Sequence, residues 1–594
     1  PITGETAIQP SADEGGTYTV IDAEEGLYEY ELGVELDAVE ATATHTIAAW
    51  ATRDFEGARY VDNEVFHFRP DGDDVTARRQ IVETEACNSC HNPLKIHGGA
   101  RREVDLCITC HTAGVDDPDT GNTVDMAVMI HKIHRGHDLP SVVAGEPYQI
   151  VGFQQTVHDY STVAFPQPIQ HCQTCHTGPD AEVWRSAPTR TACGSCHDRT
   201  SFISPPPAGF TMHTGGAQAS DANCTVCHDD FAGIDDAHLT QYLDPAAPVY
   251  ELTVLSVSNT GPGQTPQVTF SFTENGVRRD ILASPLTSLR VTVAGPTTDY
   301  ARYWQHTLQN NAAGTVTADG QNFRYTFPAP MPADATGSYA IGFEGYTQVA
   351  GAPRYAIHNP ITFVAVTDAA PVPRRQIVDE GQCESCHFEL SAHGGSRNNP
   401  SYCAMCHNPN NVGDERMPRL EGETVIAPTV DLRTIIHGIH MGEDLPSKPY
   451  LLGGFPAASE ANPAGTPIDF SEVRFPGDQR ACGTCHIAAT FDLPLDAGLL
   501  PTVTMEYTCT EAADRDVTVE GDVQDDQFCE VYAAPTVATT RGPAASACLG
   551  CHNGPDAVAH AATNTDDATG AEACATCHGP GKSADVNLVH ALDP

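Results

Sequence analysis

Twenty of the 22 cysteines stand in ten Cys-x-x-Cys-His units. In order these are Cys87-Asn-Ser-Cys90-His91, Cys107-Ile-Thr-Cys110-His111, Cys172-Gln-Thr-Cys175-His176, Cys193-Gly-Ser-Cys196-His197 and Cys224-Thr-Val-Cys227-His228. After a long gap come Cys383-Glu-Ser-Cys386-His387, Cys403-Ala-Met-Cys406-His407, Cys482-Gly-Thr-Cys485-His486, Cys548-Leu-Gly-Cys551-His552 and Cys574-Ala-Thr-Cys577-His578. Two thiols at this spacing can add to the two vinyl groups of one porphyrin, and the adjoining imidazole then meets the iron from one face. A single unit could equally be a zinc half-site or a dithiol redox pair. Zinc sites, however, do not require a histidine directly after each second cysteine. All ten units carry it, so the chain is expected to hold ten haem c groups. Haem c is attached outside the cytoplasm, which agrees with an exported, disulfide-permissive setting.

An iron with one histidine ligand has a second axial position, and its occupant sets the chemistry. Ten of the 27 histidines lie in motifs, leaving 17 candidates. An internal duplication sorts them. Arg78-Arg-Gln-Ile-Val82 recurs as Arg374-Arg-Gln-Ile-Val378, just ahead of the first motif of each half. His97-Gly-Gly recurs as His393-Gly-Gly, and His131-Lys-Ile-His134 as His437-Gly-Ile-His440, each pair of histidines followed by Asp-Leu-Pro-Ser. Asp159 to Pro166 recurs as Asp469 to Pro476, leading into the third motif. Towards the end of each half, His213 matches His560 and His238 matches His590 with looser spacing. Each half thus offers five distal candidates for five haems. The seven histidines left over are His45, His67, His137, His158, His171, His306 and His358, for which surface or structural roles are expected.

The paired histidines need an element that holds them. Positions i and i+3 share a helix face, and Met126, Met129, Ile130 and Ile133 recur at helical spacing. Two imidazoles on one helix cannot bind the same iron when its other face is already taken. They are expected to reach two neighbouring haems and hold them close.

Between the clusters the texture changes. From about Pro245 to Ala370 there is no cysteine, and runs such as Gln267-Val-Thr-Phe-Ser-Phe-Thr and Leu289-Arg-Val-Thr-Val alternate at period two between Gly, Pro and Asn. The segment before the first cluster has the same texture and resembles the second half of the central one. The expected architecture is multidomain: two antiparallel β-sandwich or β-barrel domains alternating with two pentahaem domains of short helices and loops. The boundaries read as 1–75 (short, either a reduced domain or an incomplete one), 76–245, 246–370 and 371–594.

Composition narrows the partners. The 31 Lys and Arg face 78 Asp and Glu, a formal net charge of −47. That field repels nucleic acid and anionic lipid, and its plainest use is solubility in a salty medium. No apolar stretch reaches the length of a membrane span. Pro1 opens a polar segment, so a targeting segment is expected to have been removed or left out. Asp116-Asp-Pro-Asp-Thr-Gly-Asn122 clusters hard oxygen ligands for a calcium ion, with an acidic turn as the plainer reading.

Five plus five motifs, His-Gly-Gly after the first, paired His-x-x-His segments and alternating β domains together resemble the extracellular decahaem cytochromes of the OmcA/MtrC family. The resemblance covers essentially the whole chain. It implies low-spin haems with histidine on both faces, arranged as a branched or crossed wire on the outer face of the outer membrane. It also implies electron delivery to metal oxides, metal chelates, flavins, other multihaem cytochromes or an outer-membrane conduit. The family often has a cysteine pair in its central β domain, linked to flavin handling; here that domain has none. Cys509 and Cys529 lie instead in an insertion between the third and fourth motifs of the second half, where a structural disulfide is the natural reading. The short first β domain could take its missing edge from a neighbouring subunit, so polymerisation into a cytochrome filament is the alternative function. A multihaem enzyme converting nitrite, hydroxylamine or tetrathionate would need an open or unusual axial site. No Cys-x-x-Cys-Lys variant exists here and the distal candidates suffice, so an electron carrier is expected rather than an enzyme.

Overall fold

The computed structural model describes residues 12, 13, 15–33, 39–75, 78–228, 233–309, 314–413, 420–454, 467–519 and 522–592. The chain folds as two compact units that divide between Leu239 and Thr240, with Pro476–Asp478 and Leu592 belonging to the first.

The first unit opens on two antiparallel hairpins, β1 (Thr17–Asp22) with β2 (Leu27–Glu31) and β3 (His45–Phe55) with β4 (Ala58–Phe68). This departs from the sandwich or barrel expected for that segment. Among the described residues the hairpins remain separate two-stranded sheets. Two-stranded sheets are too small to cover an apolar face, and Tyr18, Val20 and Tyr28 stay exposed at 73%, 58% and 56%. Short helices follow, among them α1 (Thr84–His91), which carries motif cysteines, α2 (Met126–Arg135), which carries His131 and His134, and α3 (Arg190–Cys196), which again carries motif cysteines. Helix α2 is the one expected from the Met and Ile spacing. Asp125 caps it, its side chain accepting a hydrogen bond from the Ala127 amide.

The second unit holds the central β domain. Strands β5 (Tyr250–Ser258), β6 (Gln267–Glu274), β7 (Val277–Arg278), β8 (Ser288–Gly295), β9 (Arg302–Thr307), β10 (Thr315–Asp319) and β11 (Asn322–Thr326) lead to β12 (Ser338–Thr347), β13 (Tyr355–Ala356) and β14 (Ile361–Ala365). They form two five-stranded antiparallel sheets, one ordered β7-β6-β11-β10 with β5 on β6, the other β9-β8-β12-β13 with β14 on β12. Phe270, Phe323, Leu289, Val291, Tyr339 and Phe343 form the core between them. Of the two shapes expected, this is the sandwich, because the sheets face each other across one core and do not close into a barrel.

Helices α4 (Glu380–His387) and α5 (Pro400–Cys406) of this unit carry motif cysteines, α6 (Leu432–Met441) carries His437 and His440, and α7 (Pro543–Cys551) again carries motif cysteines. Helix α5 lies on the outer face of the β8–β12 pair, where Tyr402, Ala404 and Met405 meet Ala294 and Ala340. Gly342 permits that approach, since a Cβ there would come within 2.7 Å of the Tyr402 ring. The insertion forms β16 (Thr502–Val519) and β17 (Asp522–Tyr532), paired with β15 (Thr424–Ala427) and β18 (Thr536–Arg541) along β16. Cys509 and Cys529 are bonded across β16 and β17.

Candidate haem-binding sites

The ten distal candidates and the ten motif histidines meet one to one. In the first unit His91 faces His134 at 6.2 Å between ring centres, His111 faces His97 at 5.9 Å, and His176 faces His131 at 6.2 Å. His197 faces His238 at 6.1 Å and His228 faces His213 at 5.9 Å. The second unit repeats the pattern: His387 with His440 at 6.1 Å, His407 with His393 at 5.8 Å, His486 with His437 at 6.0 Å. His552 with His590 at 6.0 Å and His578 with His560 at 6.1 Å complete it. Two imidazoles trans on one metal, each bonded at about 2 Å with its ring centre about 1.1 Å behind the nitrogen, stand about 6 Å apart. The spacing therefore fits a metal held between the rings in every pair.

Backbone carbonyls fix the orientation of these rings. His131 Nδ1 lies 2.6 Å from the Ala127 carbonyl, His134 Nδ1 2.9 Å from Ile130, and His440 Nδ1 2.9 Å from Ile436. His238 and His590 do the same with Ile234 and Val586, at 2.9 and 3.0 Å. His437 turns towards the matching carbonyl of Arg433 but falls short of hydrogen-bond geometry. Among the motif rings, His111 and His407 reach the carbonyls of Val124 and Val430 at 2.8 and 2.9 Å. A carbonyl only accepts, so Nδ1 must carry the proton and Nε2 is left with the lone pair a metal needs. Burial favours the same neutral form: it pushes His134 and His440 below the ordinary imidazole range, and His393 and His486 down to about 4.

The His-Gly-Gly segments owe their form to backbone geometry. His97, Gly98 and Gly99 all have positive φ (53°, 72° and 82°), as do His393, Gly394 and Gly395 (52°, 73° and 87°). Only glycine adopts this without penalty, so two of the three positions are glycine and the histidine alone bears the strain. Paired backbone bonds of Ile96 with Arg101, and of Ala392 with Arg397, close each turn.

The sequence reading missed the residue that clamps these turns to the β domains. Asn63 Nδ2 donates to the Ala100 carbonyl at 3.0 Å while its Oδ1 accepts from the Arg102 amide at 2.7 Å. Asn359 repeats this with the Ser396 carbonyl at 3.1 Å and the Asn398 amide at 2.8 Å. Each asparagine stands fifteen residues before its Arg-Arg-Gln-Ile-Val segment, which the duplication could have revealed.

The thiols show which motifs are neighbours. Burial pushes Cys87 up to about 11, with Cys107 adding to it; Cys175 rises likewise beside Cys87. Cys172 senses Cys196, and Cys193 senses Cys224. In the second unit Cys383 senses Cys485 and Cys403, Cys551 senses Cys482, and Cys574 senses Cys548. Each unit thus arranges its motifs in the order second, first, third, fourth, fifth.

Other sequence candidates have different partners. His358 Nε2 lies 2.9 Å from both Glu380 oxygens, His67 Nδ1 2.9 Å from Thr46 Oγ1, and His45 Nε2 3.0 Å from the Glu40 carbonyl. His158 stacks on Tyr160 and His306 meets Phe327 edge-on. His137 is exposed beside Asp138, and His171 is buried. In the calcium candidate, the Asp117 carboxylate accepts from the Asp119 and Val151 amides and from Thr120 Oγ1, the pattern of an acidic turn.

Known proteins resemble the chain in sequence and in fold. The Multiheme cytochrome MtrC of Shewanella baltica (strain OS185) is 30% identical over 226 residues, which are 35% of this chain and only 29% of that protein. The crystal structure of the outer membrane decaheme cytochrome OmcA is similar in fold, with a TM-score of 0.59 at 19% identity, over 99% of this chain and 89% of that one. The model of the family described as outer membrane cytochrome MtrC/MtrF-like, domains II/IV, matches twice, at residues 79–239 and 375–591, one match for each half of the duplication. Those two matches take in more than half of the sequence, and the chain belongs to the MtrC/MtrF-like outer membrane cytochromes.

Proposed function

We propose that the chain is a cell-surface electron carrier with ten haem c groups, each attached to one motif and held between its motif histidine and the distal histidine facing it. The observation that carries this is the one-to-one pairing of ten motif rings with ten distal rings at 5.8–6.2 Å, in the same permutation in both units. Haem c bound there supplies reversible one-electron exchange at iron.

The protein's part is placement. His134 and His131 tie the first and third motifs through one helix, and His440 and His437 do so in the second unit. The neighbouring cysteines put the five motifs of each unit in one row, with the second motif at one end and the fifth at the other. A haem held by both histidines of a pair would leave no axial position for a substrate, so electron exchange would run through its edge. This suits metal oxides, chelates, flavins and other multihaem cytochromes or an outer-membrane conduit as partners. No helix of the described residues is long and apolar enough to cross a membrane.

The test is a haem count by pyridine haemochrome and intact mass, with electron paramagnetic resonance of the oxidised protein. Ten haems and low-spin signals throughout are expected. A stoichiometric high-spin ferric signal would overturn the assignment and bring back the enzyme reading.

A further inference from the structure

The duplication places an arginine beside the second motif of each half, and the two copies differ in what surrounds that charge. Arg101 and Arg397 each close the turn that begins with the distal histidine, His97 or His393. The cations lie near corresponding groups: Arg101 near His97 and Cys107, Arg397 near His393 and Cys403 and also near His407 and Cys406. In the first unit the Arg101 guanidinium lies 4.3 Å from the centre of the Trp50 ring, a neutral partner, and forms no ion pair among the described residues. In the second unit Arg397 Nε lies 2.5 Å from Glu344 Oε2, and its Nη2 lies 3.4 Å from Oε1.

Trp50 and Glu344 are counterparts. Trp50 on β3 pairs with Asn63, the clamp of the first turn, and Glu344 on β12 follows Phe343, whose amide donates to the carbonyl of Pro360, the residue after the second clamp Asn359. The Glu344 side chain is 5% exposed, so its charge acts through protein more than through water. Arg290 also reaches this carboxylate, at 3.5 Å, but is 43% exposed and screened by solvent.

A cation beside a haem disfavours the ferric form, which carries one more positive charge than the ferrous, and so raises the reduction potential. A carboxylate paired to that cation removes the effect. We propose that Glu344 is a potential-setting residue: by neutralising Arg397 it holds the haem of the Cys403-Cys406 motif at a lower potential than Arg397 alone would give. Trp50 gives Arg101 no paired carboxylate, and Glu103 opposes its charge at Cys107 only more weakly, so the corresponding haem of the Cys107-Cys110 motif sits higher. The duplication thereby yields two sites of the same ligation and different driving force. This rests on the haem assignment above.

The test is spectropotentiometric titration of the full chain, after the haem count and low-spin spectrum of each variant have been verified. Glu344→Gln should raise one one-electron midpoint by at least a tenfold change in equilibrium constant, which is 59 mV. The double variant Glu344→Gln/Arg397→Gln restores the net charge and should return that midpoint to its wild-type value, which repair of a packing defect would not do. Trp50→Glu, in the other unit, should lower a different midpoint and keeps the test open if Glu344→Gln does not fold. Ten low-spin haems with unmoved midpoints in Glu344→Gln, or a double variant no closer to wild type than the single, would overturn the proposal while leaving the haem assignment standing. Loss of low-spin character already in the wild type would instead overturn the assignment.

Discussion

The imidazole planes of His134 and His91 cross at 82°, and those of His440 and His387 at 83°. By contrast His131 and His176 lie within 12° of parallel, and His437 and His486 within 11°. One helix therefore presents two rings in two different attitudes to two neighbouring partners, and the duplicated helix reproduces both.

These angles should be visible in the oxidised protein. The angle between axial ligand planes sets the splitting of the iron orbitals, so crossed and parallel pairs give different low-spin signals. Electron paramagnetic resonance should resolve at least two low-spin classes, with the third and eighth motifs in the near-parallel class and the first and sixth in the crossed class. A single homogeneous class would contradict the ring geometry.

Replacing His134 by Ala should leave all ten haems attached, because the thioether bonds do not involve it. One iron should lose its sixth ligand. The reduced variant should then bind about one equivalent of carbon monoxide more than wild type, read in the Soret band. Equal binding would show that His134 is not a ligand.

Asn359 is fully buried and holds the Ser396 carbonyl and the Asn398 amide. Asn359→Ala strands both groups in the interior, which should destabilise the second unit by about 2–3 kcal/mol. Asn63→Ala, at a more exposed clamp, should cost less. Thermal unfolding followed by far-ultraviolet circular dichroism would give the two values, and an Asn359→Ala variant as stable as wild type would remove the clamp from the account.

Acceptor charge should govern the oxidation rate. With a formal net charge of −47, cationic or neutral oxidants should react faster than anionic ones of equal potential. Salt should narrow the difference from both sides, since screening reaches about 10 Å at 0.1 M. Stopped-flow oxidation by a matched pair gives the answer. A faster anionic oxidant at low salt would require a basic docking site, with Arg78 and Arg79 the first residues to replace.

Thioether attachment is local chemistry: two cysteines and a histidine within five residues carry it, so all ten motifs were legible in the chain without a fold. The duplication extended that legibility to His97, His131, His134, His213, His238 and their counterparts, because positions kept in both halves stand out against positions that are not. The helix over 126–135 was equally readable, since apolar spacing and an Asp cap act within a few residues. Which ring each distal histidine faces was not readable. His134 meets His91 and His131 meets His176 across 43 and 45 residues, and no local periodicity encodes a trans partner at that range. Packing alone decided it. The same holds for the Asn63 and Asn359 clamps, for a first β segment that stays as two hairpins, and for Glu344 rather than tryptophan beside the duplicated arginine. The clamps and the arginine's neighbour depend on strands brought against a turn more than thirty residues away, where tertiary contact, not local pattern, selects the neighbour.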